Sequence, residues 1–200
     1  MTEFLVVIPA RYDSSRFLGK PLADINGKSM IKRVWEKCVL AAGLKNVLVA
    51  TDDERIFGHC EENGIPSAIT SKECLTGSDR IYEVAKKKRA DIYLNVQGDE
   101  PMINPTDIEK VMGFAKGNKN NVVNAMCPIN DERDFKSPNV PKVVTREDGR
   151  LLYMSRAPIP TGKQHEFNSA MKQVCIYAFP RELLLEYGSR KKKTELESIE

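Results

Sequence analysis

Short apolar runs alternate with segments of helical periodicity through residue 129. The runs Phe4–Ile8, Val47–Ala50 and Ile92–Val96 are almost continuously apolar, which is typical of strands buried on both faces of a parallel sheet. Between the first two runs, apolar residues recur 3, 4, 7, 8 and 11 positions after Ile31, and this spacing indicates one face of a helix. The sequence therefore predicts an α/β fold with a mostly parallel central sheet and helices on both faces.

Capping residues mark the ends of several predicted helices. Ser29 is suited to begin the helix that contains Ile31, and Gly43 is suited to end it. Asn104 followed by proline is a further start signal. Ser78 or Asp79 is expected to cap the helix that precedes the third apolar run.

The pattern changes after residue 129. Two short strand patterns, 141–145 and 151–154, flank Asp148-Gly149, and this arrangement predicts a β-hairpin. A further strand is predicted over Lys172–Phe179 and a short helix over Arg181–Tyr187. The whole chain of 200 residues is long enough for one domain. We therefore expect a single domain over 1–200, with a small antiparallel β appendage at about 130–179.

Charge and hydropathy exclude several classes of partner. The chain has 31 Lys and Arg against 28 Asp and Glu, a net charge of +3, which is too small to indicate a general nucleic-acid binder. No apolar run reaches the roughly 18 residues of a membrane span, and no signal-peptide pattern is present. The expectation is a soluble cytoplasmic protein without nucleic-acid partners or membrane insertion.

The five cysteines favour reduced thiols. They are spread along the chain without a C-x-x-C pair, and there are only 2 histidines, so a zinc site is not expected. Cys38 falls on the apolar face of the first helix, and Cys127 and Cys175 lie in apolar runs, where cysteine behaves as a small core residue. Nucleophilic catalysis by a thiol is a minor alternative.

The loop after the first strand is rich in cations. Arg11, Arg16 and Lys20 lie within ten residues, with hydroxyls and a glycine between them. Arginine makes bidentate contacts to phosphate oxygens, and lysine supplies a compact charge. The loop matches neither the P-loop nor the dinucleotide-binding motif. Taken alone, it is equally consistent with a polyphosphate site and with a solvated surface loop.

An acidic residue follows the third strand. Asp99 comes directly after Gly98, and ligands of open α/β sheets bind beyond the carboxyl ends of the strands. A carboxylate that faces a phosphate loop is suited to share Mg²⁺ with the phosphates. The alternative is that Asp99 or Glu100 only solvates a turn before Pro101. The two strand-end motifs together favour nucleotide chemistry.

Several motifs carry a specific resemblance. They are Val7-Ile8-Pro9-Ala10-Arg11-Tyr12, Ser15-Arg16, Gly19-Lys20-Pro21-Leu22, Asp24-Ile25-Asn26-Gly27-Lys28, Ala50-Thr51-Asp52, Asn95-Val96-Gln97-Gly98-Asp99-Glu100-Pro101, Lys142-Val143-Val144 and Ser155-Arg156-Ala157-Pro158-Ile159-Pro160. In these motifs the chain closely resembles the 3-deoxy-manno-octulosonate (Kdo) cytidylyltransferases, or CMP-Kdo synthetases. Lys20-Pro21 and the segment 97–101 favour this family over the related sialic-acid enzymes.

The resemblance implies a Rossmann-like nucleotidyltransferase fold and a defined reaction. Such an enzyme transfers CMP from CTP to the anomeric hydroxyl of Kdo, releases pyrophosphate, requires Mg²⁺ and serves lipopolysaccharide synthesis. The chemistry depends on positioning and charge stabilisation, so no covalent nucleophile is required. The resemblance also implies a homodimer built on the antiparallel appendage.

Residue roles follow from the matching motif positions. The catalytic residues implied by the resemblance are Arg11, Arg16, Lys20 and Asp99, the last of which would also hold the metal. The nucleotide-binding residues would be Pro9, Ala10, Arg11, Arg16, Lys20, Gly77, Ser78 and Arg80. The sugar-acid contacts would be Gln97, Arg156, Gln173, Tyr177 and Glu197.

Some positions depart from the family pattern. Leu18 replaces a proline in the first loop, Gln173 stands where a histidine is common, and Cys175 replaces a glycine. These differences leave open a related sugar acid, such as 8-amino-Kdo or a nonulosonate. The family continues beyond the position of Glu200 to a further helix and a second metal-binding aspartate. The chain is thus expected to be a truncated form, to receive that ligand from another group, or to be an inactive fragment that only binds CTP.

Overall fold

The computed structural model describes residues 2–13, 17–164, 166–190 and 195. Its strands are β1 (Thr2–Ala10), β2 (Asp24–Ile25), β3 (Lys28–Ser29), β4 (Val47–Thr51), β5 (Ser67–Ile69), β6 (Ala90–Val96), β7 (Val123–Pro128), β8 (Lys142–Thr145), β9 (Leu151–Ser155) and β10 (Met171–Pro180). Its helices are α1 (Met30–Ala42), α2 (Glu54–Glu62), α3 (Gly77–Lys87), α4 (Pro105–Gly117), α5 (Glu132–Lys136) and α6 (Arg181–Gly188). In this part of the chain, no helix combines the length and the apolar character that a membrane crossing needs.

The chain divides into two compact units. Of the described residues, the first contains those up to Val123 together with 175–190, and the second contains Asn124–Val174 and residue 195. In the first unit the strand order is β5, β4, β1, β6 and the part of β10 that begins at Cys175. The first four strands pair in parallel, and β10 pairs antiparallel with β6. The prediction of a mostly parallel sheet is confirmed.

Helices cover both faces of this sheet. Side chains alternate along each strand, so a continuously apolar strand presents apolar side chains on both faces, and both must be covered. Leu5 and Val7 of β1 pack against Ile81 and Val84 of α3 on one face. Their neighbours in β1 point to the opposite face, where α1 contacts β1 and β4, and α4 contacts α1. Every residue of β4 is buried, as expected for a strand that is covered twice.

The start and end of α1 are those predicted. The Ser29 hydroxyl accepts a hydrogen bond from the Lys32 N–H, and Gly43 ends the helix with a φ of 81°. The start of α3 differs from the prediction, which named Ser78 or Asp79 as the cap. Thr76 is the cap: its hydroxyl accepts from the Asp79 N–H, and the Asp79 carboxylate accepts from the Thr76 N–H. This reciprocal capping box needs the hydroxyl three positions before the acid.

The second unit contains antiparallel pairs. β8 and β9 form the predicted hairpin, and β8 also pairs with Met171 and Lys172 of β10. A small apolar cluster contains Ile129, Phe135 and Ala170. Phe135 lies on α5, a helix of 5 residues that the sequence did not predict, because one apolar residue in such a short segment produces no periodicity.

Candidate active site

Two adjoining cavities of the first unit lie beyond the carboxyl ends of β1 and β6. The larger is a cleft of about 400 Å³, and its wall contains Pro9, Ala10, Arg11, Phe17, Lys20, Pro21, Gln97, Gly98 and Asp99. The smaller is about 150 Å³, and its wall contains Pro9, Ala10, Arg11, Cys74, Leu75, Thr76, Gly77, Arg80 and Gln97. The position is that expected for the ligand site of an open α/β sheet.

Lys20 and Asp99 face each other in the larger cleft. The Lys20 Nζ lies 2.6 Å from Asp99 Oδ2, and the two side chains are 33% and 48% exposed. The prediction that a cation of the first loop meets the acid after the third strand is therefore confirmed for Lys20. Arg16, from the same loop, lies outside the described residues, as does Glu197. The pair brings a cation and an oxygen ligand to one point that a solute can reach.

Gly98 allows this close approach of loop and strand. A Cβ at Gly98 would lie 2.8 Å from the backbone oxygen of Pro9 and 3.2 Å from Cδ1 of Ile31. Real Cβ atoms do not come this close to backbone atoms, so only glycine brings the residues after β6 against the end of β1. The absence of a side chain at Gly98 thus sets the position of Asp99 in the cleft.

The described ends of the first loop meet at Tyr12 and Gly19. The Gly19 N–H donates to the Tyr12 carbonyl at 2.9 Å. Gly19 has a φ of 68°, a left-handed conformation that glycine adopts without strain. Lys20 follows at once and begins a 3₁₀ turn with Pro21. The hydrogen bond closes the loop just before Lys20 and just after Arg11.

The smaller cavity contains the start of α3. Gly77 and Arg80, which were predicted to contact the nucleotide, contribute to its wall. A Cβ at Gly77 would lie 3.1 Å from the side chain of Pro9, so glycine keeps this part of the cavity open. Ser78 occupies the first turn of α3. Thr76 was not predicted, although its position before a helix and three residues before an acid is a capping-box signal.

Arg80 is buried and held by three hydrogen bonds. Its Nη2 donates to Asp52 Oδ2 at 2.6 Å, and its Nη1 donates to Thr70 Oγ1 at 2.7 Å and to the Ser71 carbonyl at 3.3 Å. A buried arginine requires such compensation. Asp52 directly follows β4, so the strand-end rule that led to Asp99 also applies to Asp52.

Gln97 and Tyr177 lie on two neighbouring segments, the end of β6 and the paired strand β10. Gln97 follows β6 and contributes to the walls of both cavities. Tyr177 lies in β10, pairs with Asn95 of β6 and stacks on Phe179 with ring centroids 6.0 Å apart. Burial, with a smaller contribution from Cys175, raises the pKa of Tyr177 to about 12. Tyr177 therefore stays protonated at neutral pH.

Glu100 lies next to the ion pair and differs from Asp99 in its surroundings. Burial raises the pKa of Glu100, the neighbouring Asp99 raises it further, and Lys20 opposes these effects. The adjacent carboxyl groups of Asp99 and Glu100 therefore differ in their surroundings. Asp99 has the contact with Lys20, whereas the raised pKa of Glu100 means that its carboxyl binds a proton more readily than a solvated glutamate does.

The second unit contains Arg156 and Gln173. Arg156 follows β9, and its Nη1 donates to the Pro138 carbonyl at 2.9 Å. The Arg156 carbonyl accepts from the buried Lys142 Nζ at 2.6 Å. Burial and, to a smaller extent, Arg156 lower the pKa of Lys142. Gln173 lies in β10, where its N–H donates to the Pro141 carbonyl at 3.0 Å.

Four of the 5 cysteines do not have the character of nucleophiles. Burial raises the pKa of Cys38 to about 12 and that of Cys60 to about 11. Burial also raises the pKa of Cys74 to about 11 and that of Cys175, and nearby carboxylates raise both further. Because the thiolate is the reactive form, these four thiols are poorly suited to covalent catalysis.

Metal binding by protein side chains alone is not supported in the described part of the chain. There, no three His, Cys, Asp or Glu residues are grouped closely enough to hold an ion. Asp99 can offer one carboxylate, which is the usual protein share of a Mg²⁺ site completed by substrate phosphates.

The fold and the cleft define an α/β protein with a cleft at the carboxyl edge of a parallel sheet, where a lysine of the first loop meets an acid. Residues 5–200 match the cytidylyltransferase family model. The chain belongs to the cytidylyltransferase family.

Individual relatives are similar over most of the chain. The 3-deoxy-manno-octulosonate cytidylyltransferase of Escherichia coli is 40% identical, over 94% of this chain and 76% of that protein. The 8-amino-3,8-dideoxy-manno-octulosonate cytidylyltransferase of Shewanella halifaxensis is 39% identical, over 90% of this chain and 75% of that protein. The solved structure of CMP:2-keto-3-deoxy-manno-octonic acid synthetase complexed with CTP matches with a TM-score of 0.90 and 38% identity, over 99% of this chain and 83% of that one.

Proposed function

We propose that the chain transfers CMP from CTP to the anomeric hydroxyl of Kdo and releases pyrophosphate. The oxygen of that hydroxyl attacks the α-phosphorus of CTP and loses its proton, while the bond from the α-phosphorus to the bridging oxygen breaks. The observation that carries the proposal is the meeting of Lys20 and Asp99 in a cleft at the carboxyl edge of the sheet. The relatives named above act on Kdo or its 8-amino form.

The cations of the first loop are assigned to the triphosphate. Arg11 and Lys20 both contribute to the wall of the larger cleft. Their fixed charges would neutralise the charge that develops on the departing pyrophosphate, which is the main protein contribution in phosphoryl and nucleotidyl transfer. Arg16 is assigned the same task on its motif position. Pro9, Ala10, Gly77, Ser78 and Arg80 are assigned to the cytidine side.

Mg²⁺ is part of the proposal, with Asp99 as its protein ligand. The carboxylate of Asp99 is accessible, and the other ligands would be phosphate oxygens and water, a donor set that Mg²⁺ prefers. When bound, the ion would reduce the charge repulsion between the nucleophile and the phosphates. Lys20 would then be free to contact phosphate.

The contacts with the sugar acid are assigned by motif position. An arginine forms a bidentate pair with a carboxylate, and Arg156 is the candidate for this contact. Gln97 and Gln173 can donate and accept hydrogen bonds, and the protonated Tyr177 can donate one. Glu197 completes the set on its motif position. A cytoplasmic location, where thiols stay reduced, and a place in lipopolysaccharide synthesis belong to the same proposal.

The direct experiment measures pyrophosphate release from CTP with Mg²⁺ and Kdo. We expect turnover that requires all three and stops when EDTA removes the metal. CTP binding without turnover on any sugar acid would contradict an active enzyme and favour a fragment that only binds the nucleotide.

A second substrate, 8-amino-Kdo, is supported by the relative that acts on that sugar and by Gln173 and Cys175 in place of a histidine and a glycine. The same assay with 8-amino-Kdo and a nonulosonate in parallel distinguishes the substrates. If kcat/KM for one of these two sugar acids exceeds the value for Kdo, that sugar acid would replace Kdo as the proposed substrate.

A homodimer built on the second unit is also proposed. β9 is an edge strand: of the strands that the structure describes, it pairs with β8. Three consecutive residues of β9 are apolar and exposed, namely Leu151, Leu152 and Tyr153. An exposed apolar strand edge favours pairing with another chain, and a second copy of this chain satisfies that requirement by symmetry.

A further inference from the structure

Arg55 stacks on Tyr12, a residue of the first loop. The Arg55 Cζ lies 3.3 Å from the centroid of the Tyr12 ring. This is the geometry of a cation–π contact, which arginine makes with its planar guanidinium. Arg55 belongs to the first turn of α2, and it is absent from the described walls of both cavities. The motifs that led to the site did not include it.

Asp53 fixes the orientation of the Arg55 guanidinium. Arg55 Nε donates to Asp53 Oδ1 at 2.8 Å, and Nη2 donates to Oδ2 at 2.6 Å. Asp53 is also the N-cap of α2, because its Oδ1 accepts from the Arg55 N–H at 2.9 Å. The hydrogen bond from Arg55 is the main reason that the pKa of Asp53 is lowered. The guanidinium is therefore held by the helix start on one side and by the ring on the other.

Tyr12 connects this contact to the cleft. Its carbonyl accepts from Gly19 at 2.9 Å, and its ring lies 3.0 Å from the position that a Cβ of Gly19 would occupy. Arg11 precedes Tyr12 and Lys20 follows Gly19, and both residues contribute to the wall of the larger cleft. A displacement of the Tyr12 ring would therefore move both cations.

We infer that Arg55 is a positioning residue for the nucleotide: through the Tyr12 ring, it holds Arg11 and Lys20 where the triphosphate binds. The inference rests on the proposed function, because it assigns the two cations to CTP. Arg55 acts outside the cleft, so its loss weakens the contacts of the phosphates and leaves those of the sugar acid in place.

The experiment measures CTP binding and turnover separately. Calorimetry gives the dissociation constant of CTP in the absence of a sugar acid, and initial rates give the KM values for CTP and Kdo. The variants are Arg55→Ala, Arg55→Lys, Tyr12→Phe, Tyr12→Leu and the double variant Arg55→Ala with Tyr12→Leu. Arg146→Ala is the matched control, because Arg146 is 55% exposed against 57% for Arg55 and also pairs with an aspartate two residues away.

We expect Arg55→Ala to raise the dissociation constant and KM for CTP by about fivefold, because the stacked cation–π contact is lost. The KM for Kdo and the thermal midpoint should stay within about a factor of 1.5 and about 2 °C of wild type. Tyr12→Phe keeps the ring and should behave as wild type, whereas Arg55→Lys loses the planar contact and should be intermediate. Arg146→Ala should change none of these values.

The double variant tests whether Arg55 acts through Tyr12. The effects should not add, so Arg55→Ala should change CTP binding little when residue 12 is leucine. Full additivity, or an Arg55→Ala variant that binds CTP as wild type does, would overturn the inference. If the wild type binds CTP but does not turn over with Kdo, the proposed function fails while the calorimetric comparison still decides the inference. If the wild type binds no CTP, both are wrong.

Discussion

The Lys20–Asp99 pair contributes more to the site than to the fold. An ion pair that is partly exposed adds on the order of 0–1 kcal/mol to stability, and this pair lies at the mouth of a cleft. In the proposed complex with CTP and Mg²⁺, the cation would contact a phosphate and the carboxylate would hold the metal. A substitution in this pair is therefore expected to reduce turnover strongly while changing the free energy of unfolding little.

Asp99→Asn should reduce kcat by about a hundredfold or more, since the amide keeps the shape but loses the charge that a metal requires. The thermal midpoint should be nearly unchanged. Steady-state pyrophosphate release and a melting curve check the two expectations. Asp107→Asn is the control, because Asp107 is 51% exposed and pairs with a lysine at 3.0 Å. Near-normal turnover of Asp99→Asn would remove Asp99 from the mechanism.

At the residue scale, the sequence predicted the contact that the topology of a parallel sheet determines. Lys20 and Asp99 follow from the rule that parallel strands present their carboxyl ends at one edge. The contacts of Arg80 with Asp52 and of Arg55 with Tyr12 join segments 28 and 43 residues apart. No motif spacing specifies such pairs, because they depend on how loops of different strands pack.

At the element scale, two glycines show opposite requirements. Gly98 lies where a Cβ would be 2.8 Å from the Pro9 carbonyl oxygen. Gly113 lies in the middle of α4, where a Cβ would meet no atom within 4 Å. The first glycine is required by packing, whereas the second only adds backbone entropy to the unfolded chain.

Gly98→Ala should lower the free energy of unfolding by about 1–3 kcal/mol, because backbone atoms must move to admit the methyl group. It should also weaken CTP binding, since Asp99 is the next residue. Gly113→Ala, the matched control, should raise the free energy of unfolding by about 0.5–1 kcal/mol and leave CTP binding unchanged. Urea unfolding and calorimetry measure both quantities. Equal stability of Gly98→Ala and wild type would contradict the close approach.

Helices and strands were predicted correctly where the apolar pattern in the sequence extended over many residues. α1 has both a cap at Ser29 and a repeated apolar face, so its bounds were predicted closely. The short helix α5 was missed. Short elements lack periodicity, and tertiary hydrogen bonds decide where they begin and end.

At the scale of the whole molecule, the two units differ in what they contain. The first contains the parallel sheet and the described cavities. The second contains the hairpin of β8 and β9, with its row of exposed apolar residues. We assign nucleotide chemistry to the first unit and self-association to the second.

Leu152→Glu should convert the proposed dimer to a monomer, because a charge would enter the apolar row where Leu152 is 61% exposed. Light scattering after size exclusion measures the mass of each species. Leu40→Glu is the control, since Leu40 is 71% exposed on α1, and it should leave the mass unchanged. A wild-type monomer, or a Leu152→Glu variant that stays dimeric, would contradict this surface.

The exposed position of Arg55 has a practical consequence. Its neighbour Glu54 is exposed at the start of α2, so a fluorophore attached there would lie in water and would not obstruct the substrate. The dye would nevertheless adjoin the guanidinium that steadies the tyrosine ring. Its emission would therefore report, from the outer surface of the protein, any change in that contact when the nucleotide is added.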